Sequence, residues 1–154
     1  MDFTLMDQVD REEEGTNHPF AGEVFSNPGP GLRLYFYGGS HDKTQAFIDR
    51  AGEYLLGRSK ESAFRFSDAN RTDVNVSRKH AFLRVDATSV ILVNQTPRNG
   101  LILNGIPLAD YQEVALNDTD VITLGGNGPN IRVRIGDLSS LREDSYRHGE
   151  ENGR

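Results

Sequence analysis

Residues 80–105, HAFLRVDATSVILVNQTPRNGLILNG, contain three short apolar runs that are separated by turn-forming residues. The runs are HAFLRV (80–85), SVILVN (89–94) and LILN (101–104). The second run is apolar at consecutive positions, which is typical of a central strand that is buried on both faces. Asn99-Gly100 and Asn104-Gly105 bracket the third run, and Asn-Gly supplies the positive φ that a tight turn requires. This stretch therefore predicts β-strands joined by short turns.

Seven further runs of the same kind lie on either side of this stretch. They are RLYFY (33–37), QAFID (45–49), EYLLG (53–57), AFRF (63–66), EVAL (113–116), VITL (121–124) and IRVRI (131–135). In the last run Ile131, Val133 and Ile135 alternate with Arg132 and Arg134, which predicts apolar side chains inside and arginines outside. Short strands that recur roughly every 8 to 12 residues, with turn residues between them, favour a β-sandwich or barrel. We therefore predict an all-β fold.

Composition and charge narrow the classes of function. The 154 residues suffice for one domain with a core. The 23 acidic and 17 basic residues give a net charge of -6, which argues against a DNA-binding surface. The absence of cysteine leaves no disulfide and no thiolate metal site. Because no apolar run approaches the roughly 18 residues of a membrane span, and no signal peptide follows Met1, we expect a soluble, intracellular protein that binds neither nucleic acid nor membrane.

The two ends of the chain differ in composition from the middle. Residues 1–31 are acidic and poor in apolar residues, and they end on NPGPG (27–31), which is typical of a linker. Residues 137–154 are also polar, with a short helix over Leu138–Tyr146 as an alternative to irregular chain. We therefore predict a flexible arm at 1–31, a sandwich at 32–136 and a polar tail at 137–154.

The sequence does not present the residue sets on which common enzymes depend. Catalysis needs a nucleophile with its base, paired carboxylates or a metal cluster. The four histidines do not stand at ligand spacing from one another: His18, His41, His80 and His148. Gly125-Gly126 and Gly128 form a glycine-rich loop between strands, without the helix and lysine of a phosphate-binding loop. We expect no catalytic residue, no metal site and no cofactor.

Three groups of polar residues stand where predicted strands begin or end. Arg58 follows a strand, Ser77-Arg78-Lys79 precedes the strand that starts at His80, and Arg98-Asn99 lies on a turn. Loops gather at the two ends of a sandwich, so these residues can converge. An arginine fork, a hydroxyl, further cations and an amide together suit a phosphate dianion. The alternative interpretation is a basic turn that is merely solvated.

Taken in order, these residues resemble the forkhead-associated (FHA) domain family. The resemblance rests on Gly57-Arg58, on Ser77-x-x-His80 and on Asn94-x4-Asn99-Gly100-x3-Asn104-Gly105, and it covers roughly residues 32–136. It implies an FHA-like β-sandwich of about eleven strands. It also implies a module that binds phosphothreonine peptides and has no catalytic activity of its own.

The resemblance assigns a role to each matching residue. Arg58 and Ser77 would hold the phosphate, with Arg78 as a further contact beside them. Asn99 would hydrogen-bond the peptide backbone next to the phosphothreonine and set its register. The residues that shape and brace the loops would be Gly57, His80, Asn94, Gly100, Asn104 and Gly105. A small apolar pocket for the γ-methyl group would select threonine over serine, at roughly 0.8 kcal/mol for one buried methyl.

Other positions depart from the family pattern or extend it. Arg98 replaces the usual small hydroxyl residue before Asn-Gly and would either add charge at the phosphate or reach a downstream acidic residue of the peptide. Asn75 stands where some members carry a cation that reads an acid three residues after the phosphothreonine, and its neutral amide argues against that preference. Lys79, Arg71 and Asn75 are additional candidate contacts. The loop SDANRTDVN (67–75) is long for its place and is expected to be exposed.

The function that the resemblance implies is phosphothreonine-dependent protein interaction, in kinase-linked signalling such as the DNA-damage or cell-cycle response, and in the nucleus rather than the cytoplasm. Two alternatives stay open. One is phospho-independent association through a sandwich face, using the aromatic strand Leu34–Tyr37 if its edge is exposed. The other is self-association, in which a phosphorylated Thr4 docks into the loops of a neighbouring copy. The protein is accordingly expected to be a monomer or a phosphorylation-dependent oligomer.

Overall fold

Eleven strands make up the computed structural model, which describes residues 29–67, 69 and 72–142. The strands are β1 Leu32–Tyr37, β2 Thr44–Ile48, β3 Gly52–Gly57, β4 Phe64–Arg65, β5 Ala81–Val85, β6 Val90–Asn94, β7 Leu101–Leu103, β8 Ile106–Pro107, β9 Glu113–Ala115, β10 Val121–Leu124 and β11 Asn130–Ile135. One sheet has the order β2-β1-β11-β10-β7-β8 and the other the order β4-β3-β5-β6-β9. The predicted all-β sandwich is confirmed.

The core lies between the two sheets because the inward-facing side chains of the strands are apolar. Leu32, Leu34 and Phe36 of β1 belong to the same buried cluster as Leu83 and Val85 of β5. Full burial of one such side chain contributes about 1.5–3 kcal/mol relative to leaving it in water. The strand β6, which the sequence places in the interior of a sheet, lies between β5 and β9.

The aromatic first strand is not at an edge, which corrects one expectation. β1 pairs with β11 on one side and with β2 on the other, so the backbone of Leu34–Tyr37 is already hydrogen-bonded. The outermost strands are β2 and β8 in one sheet and β4 and β9 in the other. β8 was not among the predicted strands because it has two residues, one of them proline, which is too short for an alternating pattern.

Arg134 lies on the outer face of its sheet, as the alternation in IRVRI predicts, but its side chain is not exposed. Only 5% of the residue is accessible to solvent. The carboxylate of Asp118 binds the guanidinium at two points, 2.8 Å from Nε and 3.2 Å from Nη2. Since Asp118 comes from the loop before β10, the strand sequence alone does not reveal this contact.

The segments that lead into and out of the sandwich are held together by backbone hydrogen bonds. Pro30 and Asp137 form a parallel bridge, with Gly31 N–H donating to the Asp137 carbonyl at 3.1 Å. The Gly136 N–H donates to the Gly31 carbonyl at 2.8 Å, and a Cβ at Gly136 would lie 1.5 Å from the Gly29 carbonyl oxygen, so only glycine fits there. Described residues of the arm and tail are thus part of the hydrogen-bonded fold, while the boundaries at 31 and 136 stay predictions.

Three short 3-10 helices are the only helices in the part of the chain that the structure describes: Gly39–His41, Asp73–Asn75 and Leu138–Ser140. The last one begins where the alternative helix over Leu138–Tyr146 was considered, and residues 143–146 lie outside the described ranges. None of these helices has the length or the apolar character needed to cross a bilayer.

Candidate functional site

The end of β3 and the segment that precedes β5 lie side by side at one end of the sandwich. Backbone hydrogen bonds join Arg58 N–H to the Ser77 carbonyl and Ser59 N–H to the Arg78 carbonyl, both at 3.1 Å. Gly57 makes this approach possible, because a Cβ there would lie 2.0 Å from the Arg78 carbonyl oxygen. The Gly57-Arg58 pair therefore holds the backbone of Ser77 and Arg78 directly against β3.

Arg58 and Ser77 are both oriented by neighbouring backbone groups. The Arg58 Nε donates to the Val76 carbonyl at 2.5 Å, which directs the guanidinium toward the residue beside Ser77. The Ser77 hydroxyl oxygen accepts a hydrogen bond from the Arg98 backbone N–H at 3.1 Å. That contact leaves the hydroxyl hydrogen to be donated to a ligand oxygen. The structure thus brings the first two predicted phosphate ligands, Arg58 and Ser77, to the same loop end.

His80 connects the Ser77 loop to the Asn99-Gly100 turn and is fully buried. Its Nδ1 accepts from the Ser77 N–H at 2.9 Å, and its Nε2 lies 2.8 Å from the Gly100 carbonyl oxygen. Because a carbonyl only accepts, Nε2 must carry the proton, and the ring is the neutral Nε2–H tautomer. Burial lowers the pKa of His80 to about 4, although the hydrogen bond to Gly100 acts in the opposite direction.

Asn99 lies opposite Asn75 across the same loop end. Its Nδ2 donates to the Asn75 carbonyl at 3.0 Å, which leaves the Asn99 Oδ1 oriented as an acceptor. Gly125, at the end of β10, packs against both, since a Cβ there would lie 3.3 Å from the Asn75 Cβ and 3.5 Å from the Asn99 Cβ. Only Gly100 of the Asn99-Gly100 pair has positive φ, at 87°, so this turn differs from the predicted hairpin turn.

The other asparagines with a predicted supporting role are bonded elsewhere in the fold. Asn94 is 3% exposed, donates to the Ala109 carbonyl at 2.7 Å and accepts from Thr96 N–H at 2.9 Å. Asn104 and Gly105 both have positive φ, at 52° and 82°, and form the two-residue hairpin between β7 and β8. That hairpin lies at the end of β7 that is remote from Asn99.

The cations of this loop end are mostly exposed. Arg78, Lys79 and Arg98 are exposed and Arg58 is half-buried. Arg98 enters the site through its backbone N–H, and no described contact places its guanidinium at the phosphate position. Arg71 lies outside the described residues. The contacts of Arg58, Ser77, Arg78, Arg98 and Asn99 with a phosphopeptide stay predictions.

Asp73 is a member of this site that sequence reasoning missed. It is buried, whereas Ala69, Val74 and Asn75 of the same 67–75 loop are exposed as expected. Asp73 itself has no solvent-accessible surface. Its Oδ2 accepts from the Ser40 N–H at 3.1 Å, the Ser40 hydroxyl at 2.5 Å and the Ser67 N–H at 3.0 Å. The Asp73 carbonyl also accepts from the Val76 N–H at 2.9 Å. Asp73 therefore joins the loop between β1 and β2 to the turn that precedes Val76.

The arrangement suits the binding of a tetrahedral anion on a peptide. A guanidinium and a hydroxyl donate to anionic oxygens, exposed cations attract the dianion, and an asparagine amide can bond an extended backbone. Among residues 29–67, 69 and 72–142 no group of three histidine, aspartate or glutamate side chains is placed to hold a metal ion.

Comparison with known proteins gives one family. The family model "FHA domain" matches residues 54–125. FhaA, an FHA domain-containing protein of Mycobacterium tuberculosis (strain ATCC 25618 / H37Rv), is 34% identical over 84 residues, which are 54% of this chain and 14% of that protein. This chain thus spans only a small part of the length of FhaA.

Solved structures agree with that match. The solution structure of the FHA domain of an Arabidopsis thaliana hypothetical protein is 25% identical, with a TM-score of 0.61, covering 71% of this chain and 89% of that one. An FHA domain from a structural and functional analysis of phosphothreonine-dependent interactions is 32% identical, with a TM-score of 0.55, covering 68% of this chain and 95% of that one.

Proposed function

The chain belongs to the forkhead-associated (FHA) domain family, and on this premise we propose that it recognises phosphothreonine peptides through the loops around Arg58, Ser77 and Asn99. The observation that carries the proposal is that the Arg58 N–H is bonded to the Ser77 carbonyl, while the Arg58 guanidinium and the Ser77 hydroxyl each have a backbone partner before any ligand arrives. Donors that are already oriented lose little conformational entropy on binding. The 32% identical FHA domain from the study of phosphothreonine-dependent interactions supports the choice of ligand.

Each site residue has a distinct part in this proposal. Arg58 supplies charge and paired N–H donors to the phosphate, and Ser77 donates its hydroxyl hydrogen. Asn99 accepts from, or donates to, the peptide backbone and fixes its register. Arg78 and Lys79 raise the local positive potential, which favours the encounter with a dianion. A phosphoserine lacks the γ-methyl group, so it would leave the pocket for that methyl unfilled.

The same geometry fits an interaction module better than an enzyme. His80 is the residue of the site that is best suited to proton transfer, but both of its ring nitrogens are already hydrogen-bonded within the protein. A base that is fully engaged in this way cannot accept a proton from a substrate without breaking the loop structure. We propose that the bound phosphate is recognised and then released unchanged.

The signalling context is proposed on chemical grounds. A phosphothreonine ligand has to be produced by a protein kinase, so the partner is a kinase substrate or a kinase that phosphorylates itself. Nuclear localisation and a part in the DNA-damage or cell-cycle response stay predictions from the family. Self-association through a phosphorylated Thr4 also stays a prediction, because residues 1–28 lie outside the described ranges. Mass measurement of the Thr4-phosphorylated protein, with Thr4→Ala as the control, tests it.

The experiment that tests the proposed function is fluorescence anisotropy with three degenerate peptide pools. The pools share their flanking residues and carry phosphothreonine, phosphoserine or threonine at the fixed position. Saturable binding to the phosphothreonine pool alone is expected. Equal binding to all three pools, or binding to none, would mean that this loop end does not read phosphothreonine.

A further inference from the structure

Tyr111, in the connection between β8 and β9, lies at the same end of the sandwich as the proposed phosphopeptide site. Its N–H donates to the Thr96 hydroxyl oxygen at 3.0 Å, and Thr96 stands two residues before Arg98 in the loop between β6 and β7. The next residue is held by the end of β6, since the Asn94 N–H donates to the Gln112 carbonyl at 2.9 Å. The connection that carries Tyr111 is therefore bonded directly to a loop of the site.

Tyr111 and Thr96 share a backbone conformation that neither side chain favours. Both residues have positive φ, at 57°. A hydrogen bond of 3.1 Å from the Gln112 N–H to the Ala109 carbonyl closes a turn in which Tyr111 is the third residue. A positive φ at that position ordinarily requires glycine or asparagine, and bulky or β-branched side chains tolerate it least. Two strained residues are thus in direct contact beside the loop that carries Arg98.

The strain at Tyr111 is not required by the pairing of strands. Thr119 is a useful comparison, because it also has positive φ, at 76°. The Thr119 N–H donates to the Val133 carbonyl and the Val133 N–H donates to the Asp120 carbonyl, so Thr119 extends the pairing of β10 with β11. Strained residues without such a structural reason are concentrated at functional sites. A tyrosine at this position of the turn therefore indicates a use for its side chain.

The side chains at the tip of this turn suit a cation. Tyr111 is 70% exposed, and none of the described arginines or lysines lies over its ring. Asp110 is exposed too, and its carboxylate is paired with no described cation, whereas Glu113 is paired with Arg84. A cation is attracted to the face of an aromatic ring, and arginine also bonds carboxylates. An aliphatic side chain would bury little area against so open a ring.

A short peptide can reach from Ser77 to Tyr111. The Ser77 hydroxyl accepts from the Arg98 N–H at 3.1 Å, and the Thr96 hydroxyl accepts from the Tyr111 N–H at 3.0 Å. Since only two residues of chain separate these contacts, the Ser77 hydroxyl and Tyr111 are at most about 15 Å apart. An extended peptide covers that distance in about four residues. Asn99 lies at the opposite end of the same loop, beside β10.

We propose that Tyr111 and Asp110 select phosphopeptides with an arginine or lysine roughly two to four residues from the phosphothreonine, on the side away from the residue that Asn99 binds. The inference rests on the proposed function and deepens it, because it names a second peptide position that the domain reads. The peptide cation lies over the Tyr111 ring and against the Asp110 carboxylate. Thr96 is a positioning residue, since its hydroxyl oxygen holds the backbone of Tyr111.

A scan of phosphothreonine peptides by fluorescence anisotropy tests the proposal on the full chain. The peptides have alanine flanks, and a single arginine is moved through every position on both sides of the phosphothreonine. Wild type should bind the peptides with arginine at the stated distance on one side about two- to fivefold more tightly than the all-alanine peptide. Tyr111→Asn should bind all of them alike. An equal gain at every position, or a gain that persists in Tyr111→Asn, would overturn the proposal.

Matched variants separate the ring, the charge and the fold. Tyr111→Phe keeps the ring and should keep the preference for arginine, whereas Asp110→Asn should reduce it. Ile106→Asn changes another exposed apolar residue, at the remote hairpin, and should leave the preference intact. Since asparagine tolerates positive φ, Tyr111→Asn should melt roughly 2–4 °C above the wild type. A lower melting temperature would show that Tyr111 serves the fold, and would contradict its role in selection.

The all-alanine phosphothreonine peptide distinguishes failure of this inference from failure of the proposed function. Binding of that peptide by the wild type, and its loss in Arg58→Ala, depend on the phosphate alone. If the peptide binds in this way but the position of arginine makes no difference, the proposed function stands and selection by Tyr111 is wrong. If the wild type binds none of the phosphothreonine peptides, both are wrong.

Discussion

Both ring nitrogens of His80 are hydrogen-bonded inside the protein, so this one side chain fixes two loops relative to each other. The Ser77 N–H and the Gly100 carbonyl are its partners, at 2.9 and 2.8 Å. Protonation of Nδ1 would turn an acceptor into a donor facing the Ser77 N–H, so the charged ring does not fit. The geometry thus disfavours the charged ring, as does burial, which lowers the pKa of His80 to about 4.

The stability of the domain is predicted to depend on pH through His80. Its pKa is about 4 when folded and about 6.5 when unfolded, so between these values the unfolded chain binds a proton that the folded chain does not. Its contribution is complete above pH 6.5 and is lost as the pH falls toward 4, by about 3 kcal/mol in total. Urea unfolding at a series of pH values from 7 to 4 measures this loss in the free energy of unfolding.

The matched variant for this prediction is His80→Gln, which keeps one acceptor and one donor but does not titrate. The difference in the free energy of unfolding between the wild type and His80→Gln should shrink as the pH falls through this range. A difference that stays constant with pH would show that His80 does not supply the proton linkage.

Gly57 is predicted to be required by the neighbouring backbone. The Gly57→Ala variant places a Cβ 2.0 Å from the Arg78 carbonyl oxygen, so the Ser77-Arg78 segment has to move away from β3. We expect a loss of about 1–3 kcal/mol in stability, as for overpacked sites, together with weaker phosphopeptide binding. Gly126→Ala is the control, since its Cβ would meet nothing within 4 Å. Equal behaviour of the two variants in chemical unfolding would contradict the close approach.

At the level of elements, the site is assembled from the three connections between strands that carry Arg58, Ser77 and Asn99. The 3-10 turn Asp73–Asn75 links these connections. Asp73 binds Ser40 and Ser67 through its carboxylate and Val76 through its carbonyl, and the Val76 carbonyl in turn accepts from the Arg58 Nε. A chain of contacts thus runs from the loop after β1 to the proposed phosphate ligand. The turn acts as the support on which Arg58 is oriented.

Loosening this turn is predicted to weaken ligand binding as well as stability. Asp73→Asn removes the charge from the group that accepts from Ser40 and Ser67, and a neutral amide retains only part of the roughly 1.5–3 kcal/mol that hydrogen bonds to charged groups contribute. Affinity for a phosphothreonine peptide is expected to fall in parallel, measured by anisotropy. Asp86→Asn, an exposed carboxylate in another turn, is expected to leave affinity unchanged. An Asp73→Asn variant that is less stable but binds normally would show that the turn and the site are independent.

The sequence predicted strands, whose pattern is local, but it missed the contacts of buried polar residues whose partners are distant in the chain. Short apolar runs bounded by turn residues located ten of the strands, and family motifs located His80 and Gly57. Asp73 accepts from Ser40, which is 33 residues away, and Arg134 donates to Asp118, which is 16 residues away. Only folding brings such pairs together, so neither a hydrophobic pattern nor a short motif could reveal them. The two residues of β8 are too few to show an alternating pattern.

At the scale of the whole molecule, charge is divided between parts with opposite sign. The net charge of -6 belongs to the whole chain, but residues 1–28 alone carry seven of the 23 acids, and the sandwich at residues 29–142 has a small excess of bases. A protein that is acidic overall can therefore present a basic loop end to a phosphorylated partner. The absence of duplex binding, which the net charge predicts, stays a prediction, and the net charge does not describe the local potential.

Ligand binding is accordingly predicted to weaken with salt. Raising the ionic strength from about 0.01 M to about 1 M shortens the Debye length from about 30 Å to about 3 Å, which screens the exposed cations Arg78 and Lys79. The association rate in stopped-flow fluorescence should fall more than the dissociation rate rises. Lys79→Glu should reduce the rate at low salt and flatten its salt dependence, whereas Arg84→Glu on the outer face of the five-stranded sheet should do neither.

The central claim is that Arg58 binds the phosphate, and isothermal titration of a phosphothreonine peptide with wild type, Arg58→Ala and Arg84→Ala tests it most directly. Arg84 is also an arginine of the five-stranded sheet, but it pairs with Glu53 and Glu113 on the exposed outer face. Arg58→Ala is predicted to cost about 2–5 kcal/mol, which is thirtyfold or more in Kd, with thermal unfolding little changed, while Arg84→Ala binds normally. Unchanged affinity in a folded Arg58→Ala variant would contradict the account.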